Sequence, residues 1–98
     1  MYKVDNFING EASIDSSESS SIINPSYGTE IGEVLYATKD SANAAVESAY
    51  EASKAWAKTG LSFRAELILK FRQGIINTSS EIVDISVSEA GKTRPDAE

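Results

Sequence analysis

The sequence predicts an α+β chain in which β-hairpin segments come first and three helices come after them. Three observations carry this reading. Residues 2–38 hold β-branched and aromatic runs bounded by turn pairs, the apolar spacing lengthens to three and four residues after Thr38, and Gly60 and Gly91 punctuate the helical half. Ninety-eight residues suffice for one small domain with a modest core. The chain reads as a single segment, strands and turns over 2–38 and helices over 39–98.

The first run, "YKVDNFING", leads to Asn9-Gly10, a pair that favours positive φ and closes antiparallel strands. A hairpin into "EASID" is therefore expected. The next stretch, "SSESSS", has nothing to bury and reads as a solvated loop. Ile22 and Ile23 run into Asn24-Pro25, where proline ends strand pairing and Gly28 permits a turn; a strand over Glu30 to Ala37 should come next.

Thr38 is placed to cap a helix whose Ala42, Ala45, Val46, Ala49, Ser53 and Trp56 share one face. That face is mostly alanine and buries little, so the helix needs a close neighbour. Glu51 and Lys54 form an i,i+3 pair, and Gly60 is expected as the C′ residue. A second helix from Ser62 presents Leu67, Ile68, Phe71, Ile75 and one of Leu61 or Phe63 as a buried stripe. Gly74 interrupts it, a position where glycine suggests close backbone approach. Thr78 and Glu81 have capping-box spacing for a third helix, "SSEIVDISVSEA", apolar or small on more than one side and ending at Gly91. Thr93 as cap, Pro95 in the first turn, and Asp96 and Glu98 near the positive dipole end start a fourth.

Composition removes several kinds of chemistry. The chain has neither cysteine nor histidine, so thiolate catalysis, imidazole bases and the commonest metal ligands cannot be built from it. A net charge of −6 without a basic stripe argues against nucleic acid. No apolar run approaches the roughly 20 residues of a membrane span. "MYKVDNFING" lacks the marks of a secretory or transit signal, so a cytoplasmic location is expected.

No residue is nominated as catalytic, cofactor-binding or metal-binding. Gly91-Lys92-Thr93 shares letters with a phosphate loop, but the glycine needed five residues earlier is Ser86 and the trio comes after a helix rather than a strand. Glu89, facing an adverse helix dipole, is the one acidic residue singled out, and a hydrogen bond to a neighbouring segment is the preferred reading of it. Tyr27 and Tyr36 are read as packing or turn residues, Trp56 as a core anchor.

The order of "NFINGE", "INPSYGTEIGEV", "AYEASKAWAKT", "RAELILKFRQGI" and "SEAGKT" resembles the N-terminal segment of the aldehyde dehydrogenase superfamily. The likeness spans almost the whole chain and rests on Asn24-Pro25, Gly28, Gly32, Trp56, Arg64 and Glu89-x-Gly91-Lys92 in combination. "SEAGKTRPDAE" looks most similar to the methylmalonate-semialdehyde and succinate-semialdehyde branches. The resemblance implies an enzyme that oxidises an aldehyde with NAD or NADP, through a thiohemiacetal on cysteine and hydride transfer. It implies further that the nucleophilic cysteine, the glutamate base, the oxyanion asparagine and the cofactor-holding lysine and glycine turn have no matching positions here. The expectation is a fragment of the aldehyde dehydrogenase fold without its Rossmann sheet and catalytic domain, silent by itself. Its expected partners are the remainder of such an enzyme or a second copy. An unrelated small α+β domain is the third reading.

Overall fold

The computed structural model describes residues 2–13 and 18–98. Two compact units emerge, Met1–Ile23 with Glu30–Lys58, and Asn24–Thr29 with Thr59–Glu98.

In the first unit the run from Tyr2 is divided at Asp5. β1 (Tyr2–Val4) lies parallel to β5 (Glu30–Leu35), whereas β2 (Asn6–Ile8) pairs antiparallel with β3 (Glu11–Ser13). Asn9 and Gly10 turn the β2–β3 hairpin at φ of 53° and 80°, as the sequence pair demands. Ile14, Asp15, Ser16 and Ser17, parts of the expected second strand and serine loop, lie outside the described residues. The rest of that serine patch is not a loop. Ser19, Ser20 and Ser21 open β4 (Ser19–Ile23), facing Leu35, Val34 and Glu33 across an antiparallel ladder, so a partner strand satisfies their backbone where side chains offer no burial. The sheet order is β1-β5-β4. β5 stops at Leu35, two residues short of the expected end, and the Tyr36 N–H donates to the Glu18 carbonyl at 2.9 Å.

Gly32 explains why β1 can sit beside β5. It pairs with Tyr2, and a Cβ built there would stand 2.6 Å from the Tyr2 carbonyl oxygen and 3.0 Å from its ring. One residue along, Lys3 Nζ meets Glu33 Oε1 at 3.0 Å. The Glu33 hydrogen bond and charge push the Lys3 ammonium above its ordinary pKa.

Helix α1 (Lys39–Trp56) starts as expected: the Ser41 N–H donates to Thr38 Oγ1 at 3.1 Å, and Ser41 Oγ returns a bond to the Thr38 carbonyl. Its contact side is rotated toward Ser48 and Ala52, which with Ala45 and Ala49 border a cleft of about 260 Å³ beside Phe7, Ile8 and Asn9. Val46 and Trp56 are exposed, so the core-anchor reading of Trp56 is corrected: it closes the helix at its last residue. Lys54 pairs with Glu51 at 2.7 Å and sits over the Tyr50 ring. The helix ends through Ala57, whose N–H donates to the Ser53 carbonyl, and not through Gly60. Gly60, at φ −74° and ψ 157°, is extended and precedes the next helix as its N-cap.

The second unit contains α2 (Leu61–Asn77), α3 (Ser79–Ala90), α4 (Arg94–Ala97) and the turn at residues 24–29. In that turn the Asn24 side chain accepts from the Ser26 and Tyr27 N–H groups at 2.9 and 3.3 Å, and Gly28 takes a φ of 68°. The expected buried stripe of α2 is not buried. Leu61, Phe63, Ile68, Phe71 and Ile75 are exposed and Leu67 is half-buried, because nothing among the described residues covers them. Nor does Gly74 admit a close neighbour: the space around it is open, and the helix runs through it. The Thr78–Glu81 capping box does not form. Thr78 has φ −107° and ψ 11°, outside the extended region an N-cap uses, and its hydroxyl donates back to the Gly74 carbonyl at 2.9 Å. Helix α3 buries Val83, which is 7% exposed, and ends at Gly91 with φ 64°, where an added Cβ would meet Pro25 Cγ at 3.0 Å.

Two pairs of substitutions test these assignments by urea unfolding. Gly32→Ala forces a methyl onto a backbone oxygen and should destabilise by about 1–3 kcal/mol, whereas Gly74→Ala in an open helix interior should stabilise by about 0.5–1 kcal/mol. Thr38→Ala should lose about 1 kcal/mol with a drop in helical circular dichroism, and Thr78→Ala, which removes no N-terminal cap, should cost less.

Candidate functional site

The residues singled out in the sequence stand on different elements. Glu89 is exposed in the last turn of α3 and is engaged rather than free. Tyr27 is 82% exposed with its backbone held in the Asn24 turn, and Tyr36 is also exposed. Lys92 lies between Gly91, which ends α3, and Thr93, which opens α4; the trio comes after a helix, as the sequence indicates. Arg64 turns back, its Nε donating to Thr59 Oγ1 at 3.0 Å.

The most concentrated polar arrangement in the second unit joins α3 to α4. The Arg94 guanidinium donates through Nη1 to Asp84 Oδ1, through Nη2 to Ser80 Oγ at 3.3 Å, and its Nε faces Glu98 Oε1 at 3.4 Å. The Asp84 hydrogen bond, then its charge, raise the arginine further above its ordinary pKa, so it stays cationic. A cavity of about 250 Å³ opens beside it, lined by Ser79, Ser80, Val83, Arg94 and Glu98. Each of the three guanidinium nitrogens already faces an oxygen. The arrangement is a clasp between helices. Sequence reasoning missed it, although Ser80 and Asp84 stand four apart on one face; the partner ten residues on becomes adjacent only after the Gly91 turn reverses the chain.

The fit to a dinucleotide is poor. A phosphate cradle needs a glycine-rich turn between a strand and a helix, with its N–H groups facing the anion. Gly10, Gly28 and Gly91, the positive-φ glycines, sit in a hairpin, a strand-to-strand turn and a helix C-terminus. Among the described residues no three Asp or Glu side chains gather as a metal site, and no helix is long and apolar enough to cross a membrane.

Comparison with known proteins identifies the kind of chain that carries this arrangement. Residues 13–98 match the profile of the aldehyde dehydrogenase family. The chain is 31% identical over 93 residues to a malonate-semialdehyde dehydrogenase of Bacillus pumilus (strain SAFR-032), covering 94% of this chain and 19% of that protein. It is 39% identical over 77 residues to the mitochondrial acylating methylmalonate-semialdehyde/malonate-semialdehyde dehydrogenase of Mus musculus, covering 79% and 14%. A Sinorhizobium meliloti 1021 protein assigned as a methylmalonate-semialdehyde dehydrogenase, crystallised with NAD, superposes with a TM-score of 0.92 at 37% identity, over 99% of this chain and 20% of that one. The chain spans between about a seventh and a fifth of the length of these relatives. Five strands in small sheets and four helices among the described residues, with a profile match from residue 13 onward, lead to one conclusion: this chain belongs to the aldehyde dehydrogenase family.

Proposed function

We propose that the chain is the N-terminal part of an NAD(P)-dependent aldehyde dehydrogenase acting on a semialdehyde, that it functions in the cytoplasm, and that alone it is catalytically silent. The observation that carries this reading is the superposition with a TM-score of 0.92 over nearly the whole chain but only 20% of its partner, in a sequence with no cysteine. Aldehyde oxidation in the family needs a thiolate to add to the carbonyl before hydride can leave. A chain with carboxylates, lysines and tyrosines but no thiol supplies framework instead. The single-segment reading of residues 1–98 belongs to the same proposal, as does NAD or NADP as cofactor of the complete enzyme. The acidic balance and lack of a basic stripe support no role for nucleic acid.

A second reading is favoured by one observation: α2 carries exposed large apolar side chains on most of its circumference, Leu61, Phe63, Ile68, Leu69 and Phe71 among them. Such a surface suits an interaction module that self-associates or binds a separately supplied remainder of the enzyme.

Purified chain incubated with malonate semialdehyde and NAD or NADP should generate no reduced nicotinamide. Turnover that survives repurification overturns the silent-framework reading. Sedimentation of the same sample addresses the second: a concentration-dependent rise in mass supports association, and a monomer at tens of micromolar that binds no apolar dye removes it.

A further inference from the structure

The turn at Asn9-Gly10 has a chemical property that neither family membership nor the framework role uses. We infer that it is a spontaneous deamidation site, at which conversion of Asn9 to isoaspartate opens the β2–β3 hairpin. Both residues are exposed, and a Cβ added at Gly10 would meet no atom beyond its chain neighbours within 4 Å, so the turn stands open. In this hairpin the closing residues are Ile8 and Glu11, which leaves the Gly10 N–H outside the ladder. The Asn9 side chain has no hydrogen-bond partner among the described residues, and it borders the cleft against Ala45 and Ala49, which is wide enough to admit water.

The step balances without any redox partner. A base removes the Gly10 amide proton, the nitrogen attacks Asn9 Cγ, and the N–Cγ bond forms as the Cγ–Nδ2 bond breaks and ammonia leaves. Water then opens the cyclic imide at either carbonyl, giving aspartate or isoaspartate. The isoaspartate route inserts the former Cβ into the main chain. A two-residue turn with φ of 53° and 80° has no room for an added backbone atom, so the Ile8–Glu11 pairing cannot close. The consequence is confined. Among the described residues β2 and β3 form a two-stranded sheet with only each other as ladder partners, a type marginal in isolation, whereas β1, β5 and β4 share a separate ladder.

The test ages the full chain at 37 °C in neutral and alkaline buffer, then digests it after acidic residues and localises modification by fragmentation. Expected is a mass gain of about one dalton on Asn9, faster in alkali, in a product that a carboxyl methyltransferase specific for isoaspartate accepts. Hydrogen exchange of the aged fraction should lose protection at residues 6–13 and keep it at residues 30–35. Asn9→Gly preserves a turn of permissive geometry and should show neither the charge change nor the loss of protection. An Asn9 that stays intact while an unstructured peptide of the same sequence deamidates overturns the site, and an aged protein with an unchanged exchange pattern overturns the opening of the hairpin.

Discussion

The constraint on which the structure depends is apolar surface without cover. Val83 is the one buried large hydrophobic side chain among the described residues, while α2 and α3 present isoleucines, leucines and phenylalanines to the outside. Burial stabilises by about 25 cal/mol for each Å² of apolar area removed from water. What fixes the local elements is therefore a set of polar and steric devices: the Thr38–Ser41 cap, the Asn24 turn, the paired strands and the Gly91 stop. Each works over a few residues. That is why well-formed elements coexist with faces that nothing among the described residues covers.

The same division decides what could be read from the sequence. Asn9-Gly10, Asn24-Pro25, Thr38 and Gly91 each specify a backbone state through their own covalent geometry or a bond within four residues, and the structure uses each as read. The failures occur where a distant partner decides. Tyr2 pairing in parallel with Gly32 is written in no local motif, and Ser19–Ser21 become strand because β5 offers a ladder. Gly60 and Thr78 fail differently. Both stand at helix ends, as their residue types suggest, but Gly60 is extended rather than left-handed, and the Thr78 hydroxyl serves the carbonyls behind it. The stripe on α2 rests on periodicity, which says where apolar residues stand and not whether anything covers them.

The reading that nominates no catalytic residue rests on composition, since the chain has no cysteine to supply a thiolate. Gly32 is the position whose importance sequence patterning understates. In the sequence it is one glycine among several in a family-like order; beside Tyr2 it is what allows the first strand to pair with β5, because any Cβ would collide with main chain rather than with a yielding side chain.

Helix α4 poses the sharpest physical question, since four residues are too few to offset the cost of nucleation from backbone bonds alone. Its order comes from outside itself. Arg94, at its first position, is clasped by Asp84 and Ser80 of α3 and reaches Glu98 one turn on, so a single side chain ties both ends of the turn to a longer helix. Thr93 Oγ1 donates to Asp96 Oδ2 at 2.7 Å, bracing the start, and Gly91 lets the chain reverse against Pro25. Exposed ion pairs contribute little singly, but here two carboxylates and a hydroxyl act on one guanidinium whose position the turn has already fixed, so little entropy remains to be lost. The helix thus owes its order to the Gly91 turn and to the Arg94 contacts with α3 rather than to its own backbone bonds.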